Sequence, residues 1–203
     1  MLLSAMGARI ELTDAAKGMS GAVERAQELL KENPGAFMPS QFDNPANPAA
    51  HQATAREIYE DTDGQVEVFV ASVGTGGTVS GTGRALKSRK PSVYVVAVEP
   101  LESPLLEGGK AGPHGIQGIG ANFIPENYDA SVVDEVIAVS TQEAYAFGRE
   151  LASCEGMLCG ISSGAAVAAA TKLANRPEFA GKKIVALLPD TGERYLSTPM
   201  FKE

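Results

Sequence analysis

The chain has 203 residues, of which 44% are hydrophobic and 21% charged, a balance typical of a globular protein with its own hydrophobic core. Its 25 acidic and 17 basic side chains give a net charge of −8, which argues against nucleic acid and anionic membranes as partners. The two cysteines and two histidines are too few for a disulfide framework or a zinc site, so we expect reduced thiols, no metal and a cytoplasmic location.

The hydrophobic pattern alternates between helix and strand along the chain. It predicts, in order, a short strand at 8–13, a helix at 19–32, a loop rich in Pro and Asn at 37–51, a helix at 49–59 and a buried strand at 66–72. A glycine loop then leads into a helix that ends near residue 87. The remaining predictions are a strand at 93–98, a glycine-rich loop at 108–126, a strand at 132–139, a helix at 141–153 capped by Thr141, a helix at 162–175 and a strand at 184–188.

This alternation predicts an α/β fold, built as a three-layer sandwich with a mostly parallel sheet and helices on both faces. In such sheets, ligands bind at the carboxyl ends of the strands. Both glycine-dense segments follow a predicted strand, so we expect both of them at that edge. No apolar run approaches the roughly 20 residues that span a bilayer, and the first residues lack the pattern of a signal peptide.

The first glycine-dense segment reads "GTGGT" and joins a predicted strand to a predicted helix. Glycines let main-chain N–H groups approach an anion closely, and the start of a helix adds a partial positive charge. Two threonines add hydroxyl donors, and no lysine follows in the way that a nucleoside triphosphate loop requires. The segment therefore predicts a phosphate site made by Gly74, Thr75, Gly76, Gly77 and Thr78.

Two other interpretations of this loop stay open on the residues alone. A nicotinamide dinucleotide-binding turn is favoured by Glu99, which ends the next strand about where a ribose-binding acid would lie. Against it, Val79 stands where the third glycine of that motif belongs. The remaining interpretation is a tight turn that binds nothing.

Four stretches together resemble one family. They are "QFDNPANPAAH", "GTGGT", "GPHGIQGIGANFIP" and "GISSGAA" with the later "LLPDTGERYLST". In this order and spacing they resemble cysteine synthase, also called O-acetylserine sulfhydrylase, over essentially the whole chain. The resemblance implies the fold-type II, tryptophan synthase β-like fold of enzymes that use pyridoxal 5′-phosphate. It also implies the conversion of O-acetylserine and sulfide to L-cysteine and acetate.

The resemblance assigns cofactor-binding roles residue by residue. The loop Gly74–Thr78 is similar to the one that holds the cofactor phosphate. Ser162 matches the serine that hydrogen-bonds the pyridine nitrogen, and Ser163 is the less favoured partner. Asp190 is expected to shape the pocket near that nitrogen.

Substrate-binding roles follow in the same way. Gln41 matches a glutamine that contacts the substrate carboxylate. The loop assigned to the substrate consists of Gly118, Ile119, Gly120 and Ala121. His51 and His114 are expected to be structural, because a lone histidine in a loop is more often structural than catalytic.

The family also implies a lysine that forms a Schiff base with the cofactor, in a Ser-x-Lys segment that precedes the part matched here. No such segment occurs in the 203 residues, so no catalytic residue is assigned. We therefore expect the C-terminal two-thirds of a cysteine synthase without its N-terminal third, and no turnover by the chain as given. Residues 1–40 are expected to be the remnant of a smaller domain, and residues 41–203 the larger domain that binds the cofactor phosphate.

The expected partners are small-molecule substrates, a second copy of the chain and the C-terminal tail of serine acetyltransferase, all implied by the resemblance. Two alternatives from other classes stay open. One is a non-catalytic module that binds pyridoxal phosphate or a peptide. The other is the nicotinamide dinucleotide-binding domain.

Overall fold

A computed structural model describes residues 2–202 and divides the chain into two compact units, Met1–Ser40 and Gln41–Glu203. The expected division into a remnant of a smaller domain and a larger cofactor-binding domain stays a prediction. Within the described residues, no helix is long and apolar enough to cross a membrane.

Among its described residues the first unit has two α-helices, α1 (Leu2–Ala5) and α2 (Gly18–Glu32), and α2 confirms the helix predicted at 19–32. The side-chain amide of Asn33 donates to the carbonyl of Leu29 at 2.7 Å, which ends α2. The strand predicted at 8–13 is wrong, because these residues are irregular and the described part of this unit offers no second strand to pair with.

The second unit is built on a four-stranded sheet. Its strands are β1 (Val68–Ser72), β2 (Tyr94–Pro100), β3 (Glu135–Val139) and β4 (Ile184–Ala186). They lie in the order β3-β2-β1-β4, and every described pair is parallel. The predicted α/β fold with a parallel sheet is therefore confirmed, with strands shorter than predicted at 66–72, 132–139 and 184–188.

Five helices surround this sheet. They are α3 (Ala46–Ala50), α4 (Gln52–Asp61), α5 (Gly77–Arg89), α6 (Thr141–Cys154) and α7 (Ile161–Ala174). The loop predicted at 37–51 contains α3, and the helix predicted at 49–59 begins only at Gln52. The cap predicted at Thr141 is wrong: Ser140 caps α6 by accepting from the Glu143 N–H while the Glu143 carboxylate accepts from the Ser140 N–H.

Two separate hydrophobic cores lie on opposite faces of the sheet, as the three-layer prediction requires. Alternate strand residues such as Val68 and Val70 pack against α6 and α7. The residues between them, Phe69 and Ala71, pack in the second core against α4 and α5. Both faces of β1 are thus buried, and the loop that follows β1 starts from a rigid strand.

Candidate functional site

Three segments meet at the carboxyl edge of the sheet. A Cβ added to Gly74, just after β1, would lie 2.5 Å from the carbonyl oxygen of Gly118. A Cβ added to Gly118 would lie 3.9 Å from the hydroxyl oxygen of Ser162, in the first turn of α7. The Gly120 N–H also donates to the carbonyl of Val73 at 3.1 Å. The structure thus brings together the glycine loop, the loop around Gly118 and Ser162.

The glycine loop is a cradle of bare main chain. Gly76 has a φ of +82° and caps α5, and a Cβ there would lie 2.7 Å from the main-chain nitrogen of Tyr128. A Cβ at Gly77 would collide with the side-chain oxygen of Asn47. Because the first N–H groups of a helix lack intrahelical partners and Gly76 provides no side-chain cap, the start of α5 offers main-chain donors. This arrangement suits an anion.

Two side chains outside the loop orient its threonines. The amide nitrogen of Asn47 donates to Thr75 Oγ1 at 2.8 Å and to the main-chain carbonyl of Gln41 at 2.8 Å. Since the Thr75 oxygen accepts this bond, its own hydrogen can point elsewhere. His51 Nε2 lies 3.2 Å from Thr78 Oγ1, and burial lowers the pKa of His51, which favours the neutral ring. Both threonine hydroxyls are therefore held by neighbours on one side.

The segments assigned to the substrate are held through their main-chain carbonyls, which bond to neighbouring side chains. The carbonyl of Gln41 accepts from the side chains of Asn47 and Asn127, at 2.8 and 3.0 Å. Ile119 is 7% exposed and packs in the core, so only its main chain can face a ligand. His114 Nε2 bonds to the carbonyl of Gly120 at 2.9 Å, which fits the structural role expected of this histidine.

Ser162 and Ser163 differ in their surroundings. Ser163 is fully buried, and its hydroxyl has no hydrogen-bond partner among residues 2–202. Ser162 is 3% exposed and is the serine next to Gly118. The preference for Ser162 as the ring-binding hydroxyl stays a prediction that this placement supports.

Asp190 lies beside the start of α7. Its carbonyl accepts from the Gly160 N–H at 3.1 Å, and its Oδ2 accepts from the Tyr195 hydroxyl at 2.6 Å. Burial and this bond raise the pKa of Tyr195 to about 12, so the phenol stays protonated at neutral pH. Asp190 Oδ1 is buried and has no partner within the described chain.

Glu99 does not suit the nicotinamide interpretation. The side chain is 3% exposed, and its two oxygens accept from the main-chain N–H groups of Leu106 and Glu107, at 2.7 and 3.1 Å. Burial raises the pKa of Glu99 despite these bonds. Because both of its oxygens already accept main-chain hydrogen bonds, the Glu99 carboxylate does not face a ribose.

The partly buried lysines are bonded to groups outside the candidate site. Lys87 pairs with Asp134, and Lys172 pairs with Glu143. Lys90 donates to the carbonyls of Gly64 and Val66, in the turn between α4 and β1. The other lysines are exposed: Lys17, Lys31, Lys110, Lys182, Lys183 and Lys202.

A sequence model of the pyridoxal-phosphate dependent enzymes matches residues 1–190, and the chain belongs to that family. The individual relatives narrow this broad family to cysteine synthases. The chain is 51% identical over 212 aligned residues to cysteine synthase A of Escherichia coli, covering all of this chain and 66% of that protein. It is 52% identical to cysteine synthase B of Campylobacter jejuni, over 98% of this chain and 66% of that one. The crystal structure of cysteine synthase from Entamoeba histolytica superposes with a TM-score of 0.95 at 51% identity.

The chain spans 66% of the length of the E. coli relative and 60% of the crystallised E. histolytica chain. The whole enzyme's reaction, substrates and partners are therefore treated below as proposals. The residues present do fit the cofactor that gives the family its name. The glycines at 74, 76 and 77 have no room for a Cβ and leave main chain that suits a phosphate, and the buried Ser162 hydroxyl lies nearby as the polar group expected for the ring.

Sequence reasoning missed two parts of this site. Asn47 lies inside the stretch that carried the resemblance, but nothing in the sequence indicated its bond to Thr75. Tyr195 lies within the C-terminal stretch, but nothing in the sequence indicated its bond to Asp190.

Proposed function

We propose that this chain provides the cofactor-binding part of a cysteine synthase, which converts O-acetylserine and sulfide to L-cysteine and acetate. The observation that carries the proposal is the glycine cradle at the start of α5 beside Gly118 and Ser162, in a chain about half identical to cysteine synthases. When bound, pyridoxal phosphate supplies the electron sink that such a replacement at the substrate's β-carbon needs.

Each segment has a separate task in this proposal. The main-chain N–H groups at the start of α5 bind the phosphate, and the Thr75 and Thr78 hydroxyls donate to it. Asn47 donates to Thr75 and so leaves the Thr75 hydrogen free for the anion; His51 does the same for Thr78 in the tautomer that carries its hydrogen on Nε2. Ser162 donates to the ring nitrogen and leaves it without a proton, which limits side reactions. Gln41 and the main chain of 118–121 bind the substrate carboxylate and line a narrow pocket.

Binding of pyridoxine 5′-phosphate, measured by calorimetry, tests the cofactor part of the proposal. This probe has the phosphate and the ring but no aldehyde, so it cannot react with surface lysines. We expect saturable binding to the chain as given, weakened about tenfold by Thr75→Val, the loss of one charge-assisted hydrogen bond. Thr82→Val is the matched control, because the Thr82 hydroxyl is buried on α5 without a partner among the described residues.

No binding of the probe, or equal weakening by both threonine changes, contradicts the assignment of the cradle. The rival ligand is tested in the same experiment, since a nicotinamide dinucleotide that raises the melting temperature while the probe does not would favour the dinucleotide-binding alternative.

Turnover is tested with a chimaera that joins this chain to the segment of E. coli cysteine synthase A that it does not match. We expect L-cysteine from O-acetylserine and sulfide with the chimaera, and none with the chain as given, because the described lysines are exposed or bound elsewhere. A folded, cofactor-loaded chimaera without activity would refute the reaction.

Two partners are proposed on the family resemblance alone. They are a second copy of the chain and the C-terminal tail of serine acetyltransferase. Titration with a tail peptide, with and without pyridoxine 5′-phosphate, tests the second partner. It also tests the alternative that the chain is a peptide-binding module, which requires binding without any cofactor.

A further inference from the structure

The pair formed by Asp190 and Tyr195 lies at the start of α7 in an arrangement that costs stability. Asp190 Oδ2 accepts a 2.6 Å bond from Tyr195, whereas Oδ1 is buried without a donor among residues 2–202. A buried carboxylate oxygen without a partner is unfavourable, and native proteins retain few of them without a reason. The unfavourable burial of Asp190 Oδ1 therefore calls for a functional reason.

The unpartnered oxygen lies directly against Gly160. A Cβ at position 160 would collide with Asp190 Oδ1 and would lie 2.7 Å from a ring carbon of Tyr195. Gly160 has an ordinary φ of −73°, so its backbone conformation does not require glycine. Glycine at this position is required by the carboxylate that packs on it.

Main-chain bonds fasten the same two segments together. Gly160 donates to the carbonyl of Asp190, and Gly192 donates to the carbonyl of Leu158 at 2.9 Å. Gly160 is also the N-cap of α7, and no side chain caps this helix. The direction in which α7 starts is therefore set by its packing on Asp190, and Ser162 is the second residue of that helix.

We propose that Asp190 and Tyr195 are positioning residues that fix the start of α7, so that the Ser162 hydroxyl meets the ring nitrogen of the cofactor. This inference rests on the proposed function, since it concerns the ring end of the same site. Tyr195 holds the carboxylate in one orientation, and the carboxylate holds Gly160. The exposed Arg194, whose guanidinium lies 3.6 Å from Asp190 Oδ2, contributes little because its charge is screened by water.

The two ends of the site respond to different probes, and this difference gives the test. Inorganic phosphate reports only the glycine cradle, whereas pyridoxine 5′-phosphate reports the cradle and the ring contact together. Affinities for both are measured by calorimetry on the chain as given, for Tyr195→Phe, Asp190→Ala and Asp190→Asn. The absorption spectrum of the bound probe, which depends on the state of its ring nitrogen, is recorded for each.

We expect Tyr195→Phe and Asp190→Ala to weaken pyridoxine 5′-phosphate about tenfold, as loss of one hydrogen bond at the ring does. Both should shift its bound spectrum toward that of the free probe and leave the phosphate affinity within about twofold. Asp190→Asn, which can still bond Tyr195, should restore most of the affinity. Tyr94→Phe is the matched control, because the Tyr94 hydroxyl bonds Glu135 at 3.2 Å on another part of the sheet.

Equal loss of both affinities would show a general structural defect and overturn the inference, as would an unchanged affinity and spectrum in Tyr195→Phe. Failure of the unmodified chain to bind pyridoxine 5′-phosphate is a separate result, which overturns the proposed function itself. Each variant's thermal unfolding is recorded to establish that it is folded.

Discussion

The two ends of the candidate site are built by different means. The end proposed for the phosphate uses mainly main chain: glycines without room for a side chain, a helix start, and threonines held by Asn47 and His51. The end proposed for the ring uses side chains: Ser162 on a helix whose start is packed against Asp190 and Tyr195. The glycines of the phosphate end have no room for a Cβ, whereas the ring end depends on the orientation of the Asp190 carboxylate. Substitutions at the phosphate end should therefore weaken binding of both inorganic phosphate and pyridoxine 5′-phosphate, whereas those at the ring end should weaken only the second.

The largest effect is expected from Gly76→Ala at the phosphate end. Alanine at a φ of +82° is strained, and its Cβ would lie 2.7 Å from the main chain of Tyr128. We expect loss of inorganic phosphate and pyridoxine 5′-phosphate binding together, with a destabilisation of about 3 kcal/mol in chemical denaturation.

Gly108→Ala is the matched control, since Gly108 has a φ of +81° with nothing near its Cβ position. It should cost about 1 kcal/mol, the price of the backbone conformation alone, and leave binding intact. Similar losses in the two variants would mean that close packing in the cradle is unimportant.

Gly160→Ala should produce the next largest effect, confined to the ring end. The new Cβ would displace the Asp190 carboxylate, so we expect pyridoxine 5′-phosphate to bind about tenfold more weakly, as for loss of the ring contact. A double-mutant cycle with Asp190→Ala sharpens the result, because the second change should cost little once the first is present. Additive losses would show that Gly160 and Asp190 act independently.

The smallest expected effect is a pH dependence that arises at the phosphate end. Burial lowers the pKa of His51 below its unfolded value of 6.5, so the unfolded chain takes up this proton first as the pH falls. The contribution of His51 to stability is therefore lost as the pH falls from 6.5 through the folded pKa. His51→Gln removes this titrating group. The unfolding free energy of the unmodified chain should therefore fall relative to that of the variant between pH 7 and pH 5. A constant difference would contradict the assigned environment.

Sequence and structure agree best where the information is local. The α/β fold, the glycine loop between β1 and α5, and the helix α2 were predictable, because periodicity and glycine density are properties of neighbouring residues. The strand expected at 8–13 had the right alternation but lacks a partner in the described chain, and pairing is not visible in one segment. The Asp190–Tyr195 bond and the packing on Gly160 depend on how a late loop folds back on α7, which no spacing reveals.

The place of β1 in the sheet has a consequence for how the protein folds. Val68 pairs with Ile184, so the strand that carries the glycine loop gains one of its two neighbours only from the far end of the chain. Closing a loop of that length is slow, and the edge of β1 stays open to other strands until it happens. During synthesis the sheet would thus be completed among the last events, and a chain that ended before β4 would be prone to aggregate.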